Sequence, residues 1–105
     1  MIYSKWYEAV ITIASDDDLT AEVDLEKPYE TLIVIIPTLT SSNLTCYVSD
    51  SQGGTYVPLG NSVTVDAGTG GYCDVWDIGG NQFIKIKTSA GQAANRTFKV
   101  RGVRS

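Results

Sequence analysis

Leu19-Thr20-Ala21-Glu22-Val23-Asp24-Leu25-Glu26 is the stretch that decides the fold. Leu19, Ala21, Val23 and Leu25 occupy one phase; Thr20, Glu22, Asp24 and Glu26 occupy the other. A period of two places every apolar side chain on one face of a strand. A helix would scatter the three acids around its circumference, so the stretch is read as a half-buried strand.

The same pattern extends in both directions. Upstream, Ser15-Asp16-Asp17-Asp18 is a turn, and Glu8 to Ala14 is a strand with Ala9, Ile11 and Ile13 inward. Downstream, Lys27-Pro28-Tyr29-Glu30 interrupts the alternation. Thr31 to Ile36 is apolar on both phases, which predicts a central strand covered on both sides, and Pro37 ends it. Leu44 to Ser49 points Leu44, Cys46 and Val48 inward, and Asp50-Ser51-Gln52-Gly53-Gly54 returns the chain into Thr55 to Leu59. Gly60-Asn61 is a turn before a short strand, Ser62 to Asp66, with Val63 and Val65 inward. After the loop Ala67 to Gly71, the segment Tyr72 to Ile78 is strand-like with its faces unassigned. Gly79-Gly80-Asn81 turns into Phe83 to Thr88, with Ile84 and Ile86 inward. A loop of small residues, Ser89 to Asn95, precedes the last strand, Arg96 to Val103, with Phe98 and Val100 inward.

About nine short strands with turns at intervals of roughly ten residues predict an all-β domain, a single antiparallel β-sandwich of jelly-roll type. A closed barrel is the alternative. Composition agrees: Val, Ile, Thr, Tyr, Phe and Trp total 40 of 105 residues, against 29 for the helix formers. The length predicts one domain over residues 1–105, with 1–7 as a candidate N-terminal arm.

Composition also narrows function. With no histidine there is no imidazole base and no histidine metal ligand, and two cysteines do not make a structural zinc site. A formal net charge of −4 argues against a nucleic-acid partner. The start, Met1 to Trp6, lacks a signal-peptide pattern, and the longest apolar run, Leu32 to Ile36, is too short to cross a bilayer. The expectation is a soluble, non-enzymatic protein without cofactor or membrane partner, with Cys46 and Cys73 as free buried thiols and one bridge between them as the alternative.

Charge is unevenly spread. Residues 1–52 carry nine acids and two bases, whereas from Phe83 onward there are six bases and no acid. Two readings stand. The acidic strand of Glu22, Asp24 and Glu26 lies beside a basic strand in one sheet. Alternatively, that acidic flank faces Lys85, Lys87, Lys99 and Arg101 of a neighbouring copy, head to tail. Asp16-Asp17-Asp18 is read as a solvated turn rather than a cation site. Asp74 and Asp77 are two carboxylates without a supporting motif, and no metal or catalytic residue is assigned. Tyr47, on an outward phase, and Trp76 are candidates for stacking on a glycan, with Asn61 and Asp66 as hydrogen-bonding partners.

The run Val48-Ser49-Asp50-Ser51-Gln52-Gly53-Gly54-Thr55-Tyr56-Val57-Pro58-Leu59 resembles hairpins of small structural proteins of tailed bacteriophages. So do Phe83-Ile84-Lys85-Ile86-Lys87 and Gln92-Ala93-Ala94-Asn95-Arg96-Thr97-Phe98-Lys99-Val100. The resemblance spans roughly residues 44–103 and rests on turn and strand residues. It implies a virion-associated β-sandwich made in the host cytoplasm, such as a capsid decoration (cement) protein. The partners implied are further copies of itself, a trimer foremost, and the major capsid protein. Trp6 and Tyr7 are then candidate apolar anchors. A carbohydrate-binding module and a tail or baseplate component are the competing expectations.

Overall fold

The computed structural model describes residues 1–60 and 64–105. Ser62 and Val63 of the expected short strand, and Asn61, lie outside the described residues. The described chain is all-β and antiparallel, with six elements and no helix. These are β1 (Ile2–Tyr3), β2 (Tyr7–Ile11), β3 (Val23–Ser49), β4 (Val57–Pro58), β5 (Thr64–Thr88) and β6 (Arg96–Arg104).

Two elements are very long, and each serves two hydrogen-bonded arrays. In the first array, β2 pairs with β6, β6 with the middle of β3, and that part of β3 with the middle of β5. The registers Ala9↔Phe98, Val34↔Val100 and Val34↔Asp74 fix this order. In the second array, residues 83–86 of β5 lie between the beginning and the end of β3, through Val23↔Ile84 and Cys46↔Ile86, and β4 adds on through Val48↔Val57. The inward phases of both arrays meet in one core. Ala9, Ile11, Leu32, Val34, Trp76, Phe98 and Val100 come from the first array, and Val23, Leu44, Cys46, Ile84 and Ile86 from the second.

Most of the expected alternation is present. Val23 and Leu25, Leu44 to Val48, Ile84 and Ile86, and Phe98 and Val100 are buried as read. The count of separate strands differs: three expected strands lie within β3 and three within β5. The intervening turn signals mark bends within paired strands. Register shifts fall between Asp24 and Tyr29, where Glu26 takes a left-handed φ of 68°, and around Ser42. In β5 the bend at residues 68–71 needs glycine most at Gly70. Its φ is +71°, and a Cβ there would lie 2.0 Å from the Pro37 carbonyl oxygen.

Three phases are corrected. Ahead of β3 it is Thr20 that is buried, whereas Ala21 is exposed, because the Thr20 N–H and hydroxyl oxygen both pair with the Ile86 backbone. Ile13 falls past the end of β2 and is exposed. The two cysteines are unbridged, but only Cys46 is buried; Cys73 is exposed on the outward phase of β5. The Cys46 thiol is pushed up to about 12 by burial. They belong to different arrays and opposite phases, opposite Ile86 and Ile35 respectively.

Residues 1–7 are not a free arm. Ile2 and Tyr3 pair with Arg104 and Val103, continuing the β6 edge beyond β2. Ser4 is buried there. Its N–H donates to the Gly102 carbonyl at 2.9 Å, and its Oγ accepts from the Gly102 N–H at 2.8 Å.

Candidate functional site

The chemistry that distinguishes this protein lies on the outer faces of the two arrays, and they differ. On the second array the charged outward residues Asp18, Glu22, Asp24, Lys85 and Lys87 are already partnered within the chain. Lys87 Nζ donates to Asp18 Oδ2 at 2.8 Å. This bond holds the Asp18 carboxyl below its usual range and raises Lys87. Glu22 Oε2 accepts from the Tyr56 hydroxyl at 2.5 Å and from the Gly53 N–H at 2.8 Å, and these bonds, the Tyr56 one foremost, lower its pKa. The Tyr56 hydroxyl is raised, by burial first and by Glu22 second. Lys85 sits over the Tyr56 ring at 4.7 Å, and Asp24 accepts from Gln82 Nε2 at 2.9 Å.

The acidic strand therefore does lie beside a basic one in the same sheet, since Val23 pairs with Ile84 and carries Glu22 alongside Lys85. Glu26 is used elsewhere. It accepts from the Tyr7 hydroxyl and lies 3.6 Å from Lys5. Tyr7 is raised to about 12, by burial first and then by Glu26. The four bases expected on one flank are divided: Lys85 and Lys87 belong to the second array, Lys99 and Arg101 to the first. A single acidic flank meeting a single basic flank has no counterpart in this arrangement.

The outer face of the first array is apolar at its centre. The registers place Ile33 between Arg101 and Val75, and Ile35 between Lys99 and Cys73. Val75 is 60% exposed, Ile35 41% and Trp6 40%, while Ile33 is half-buried. The expectation that Thr31 to Ile36 is covered on both sides thus fails for the chain alone: only Leu32, Val34 and Ile36 are buried. The strand is central, paired on both edges by β5 and β6, but its odd-numbered residues meet solvent.

Beside this apolar centre, the Arg101 guanidinium lies over both the Trp6 ring at 4.8 Å and the Tyr3 ring at 5.3 Å. Its Nε donates to the Ser4 carbonyl at 3.0 Å. Lys5, Trp6, Tyr7, Glu8, Ile35 and Lys99 line an open concavity of about 680 Å³. Two aromatics just ahead of the first strand mark Trp6 and Tyr7 as candidate anchors in the sequence; the face they border, with Ile35, Val75 and Cys73, carries no such mark. The signal available was the double-sided apolar run at 31–36, which alternation by itself assigned to burial.

The remaining candidates resolve individually. Trp76 is core, 3% exposed, with Nε1 donating to Asp74 Oδ2 at 3.1 Å, so it presents no ring to a sugar. Tyr47 is half-buried, flanked by Pro58 and Lys85. Asp66 is exposed and accepts from the Gly68 N–H. Asp74 also accepts from the Val75 N–H, and Asp77 from the Gly79 N–H, so the two carboxylates serve local backbone on opposite phases. The carboxylates of Asp16, Asp17 and Asp18 lie within 4.8 Å of one another, with Asp18 bonded to Lys87.

No protein-family model matches this chain, and no curated protein does. Among solved structures it is similar to the SPBc2 prophage-derived protein YomS, with a TM-score of 0.56 and 14% identity over 97% of each chain. It also aligns with a family 89 glycoside hydrolase from Clostridium perfringens, with a TM-score of 0.49 and 18% identity. That alignment spans 97% of this chain and 12% of the hydrolase. The likeness to YomS is one of fold.

Proposed function

We propose that this is a non-enzymatic structural protein of a phage particle, and that it acts as a capsid decoration protein docking through the outer face of the first array. In this reading the two arrays are the layers of a jelly-roll-like sandwich that serves as a rigid platform. The observation that carries the reading is the contrast between the two outer faces. One is charged and internally satisfied; the other leaves Ile35, Val75 and Trp6 in solvent around an apolar centre. An exposed apolar patch with a charged border is the usual form of a protein-binding surface. The fold shared with a prophage-derived protein over nearly the whole of both chains supports the phage setting. The glycan reading has lost Trp76 to the core, and Tyr47 is flanked on both sides.

The test is co-sedimentation of the purified protein with phage shells assembled from a major capsid protein, with and without Val75→Lys. The expected result is saturable binding by the native chain and loss of binding by the variant. Equal sedimentation of the two chains, or none by either, would rule out decoration through this face.

A further inference from the structure

We propose that a second copy of this chain stacks on the outer face of the first array, about a two-fold axis running along residues 31–36 of β3. The inference rests on reading that face as a docking surface and adds what covers it off the shell and in what geometry: the pair is the free state, and shell docking displaces the second copy from the same face. Self-assembly by unlike flanks needs two separate complementary patches. Asp18, Glu22 and Asp24 of the second array are bonded within their own chain, and the four bases are split between the arrays. What remains is one face carrying everything a self-complementary contact requires. Its columns run basic, apolar and mixed: Lys99 and Arg101 on β6, Ile33 and Ile35 on β3, and Cys73, Val75 and Asp77 on β5.

The order of these columns selects the axis. Two such sheets packed face to face keep their strands roughly aligned, about 10 Å apart. A two-fold axis along β3 lays the β6 column of one copy over the β5 column of the other. Arg101 then meets the Val75 and Asp77 side, and Ile33 and Ile35 meet their own counterparts. The other in-plane axis, across the strands, lays β6 on β6 and opposes Lys99 and Arg101 with their own copies. Like charges facing across a contact are unfavourable, so the axis along β3 is the one chosen. The chain measures 36 × 27 × 25 Å, so one side barely offers the roughly 800 Å² per partner of a standard interface. The pairing is accordingly weak, in the micromolar range or looser.

Residues on such an axis face themselves, and this gives the test. Sedimentation equilibrium over a concentration series should show a reversible dimer for the native chain. Val75→Lys weakens it by roughly tenfold or more, because an apolar contact is replaced by a charge. Val57→Lys, at an equally exposed valine on the second array (53%), leaves it unchanged. Ile35→Glu and Ile35→Lys each abolish the dimer, and mixing the two variants restores a one-to-one pair. Thermal melts confirm that each variant is folded. A native chain that stays monomeric throughout, a dimer sensitive to Val57→Lys instead of Val75→Lys, or absence of rescue on mixing overturns the proposal. The two readings fail separately. A monomer that still sediments with shells overturns the pairing and leaves decoration, and a dimer that ignores shells does the reverse.

Discussion

The two halves of β5 carry nearly the same kind of alternation and end in opposite situations. At residues 83–88, Ile84 and Ile86 point into the core and Lys85 and Lys87 point out, each held by a partner on its own chain. At residues 73–78, Trp76 and Ile78 point into the core, but Val75 and Cys73 point out among other apolar groups. The first half is finished as a surface: its outward groups are hydrated or paired, and nothing is gained by covering them. The second half leaves apolar area in water on a central part of the sheet, where covering it is favourable at about 25 cal/mol per Å². A self-sufficient face and an unfinished one are thus built from a single strand.

The largest effect that sharpens this contrast lies within the middle of β3. Leu32→Ala removes a fully buried side chain and should cost about 2–5 kcal/mol in urea unfolding. Ile35→Ala, three residues on but facing outward, should cost less than about 1 kcal/mol in dilute monomer. Comparable losses at both positions would mean that the outer face is already covered within the chain.

Next comes Arg101→Ala, at the border of the unfinished face. It removes the hydrogen bond to the Ser4 carbonyl and the cation held over Trp6 and Tyr3. A loss of about 1–2 kcal/mol is expected. Faster amide exchange should follow at Ser4 and Gly102, which are bonded to each other. Unchanged exchange at those two amides would show that the N-terminal segment holds to β6 without this side chain.

The smallest effect is on the finished face. Lys87→Ala should cost no more than about 1 kcal/mol at neutral pH, because both partners are more than a third exposed. The sign with pH follows from the two shifts. Asp18 is lowered in the folded chain, so its contribution is present above the ordinary carboxylate range and is lost as pH falls through the folded value. Lys87 is raised, so its contribution is complete below the ordinary lysine value and is lost as pH rises through the folded one. The difference between native and variant stability should be flat between about pH 5 and 9 and shrink on both sides. A difference that grows toward acid pH would assign the interaction to other groups.

Much of this is legible in the sequence. Wherever one phase was apolar and the other charged, the strand and its inward side followed directly, as at Val23 and Leu25 or Phe98 and Val100. Turn residues were legible as interruptions but not as to kind. Gly68, Gly70, Gly79 and Gly80 all adopt left-handed φ, yet they bend a paired strand instead of ending it. Local composition specifies the dihedral and not whether pairing resumes beyond it. Gln92 carries no signal within its loop of small residues. It is buried, with its amide bonded to both backbone groups of Thr40, a contact that no local pattern announces. Tyr72 to Ile78 could not be given faces because Asp74 sits on the inward phase, bonded to the Trp76 indole.

By itself the sequence determined that this chain is antiparallel β, which residues of its apolar–charged strands point inward, and that its charge is lopsided. Period-two alternation and side-chain chemistry are local properties, and burial of one face follows from them. Only the tertiary structure decided that Asp18, Glu22, Asp24, Lys85 and Lys87 find partners within the chain on one face. It alone decided that Lys99 and Arg101 instead border Ile33, Ile35 and Val75 on the other. Which strand lies beside which depends on pairings between residues tens of positions apart, and the doubly apolar run at 31–36 says only that something covers it. Within the described chain one side is covered by the core and the other is open.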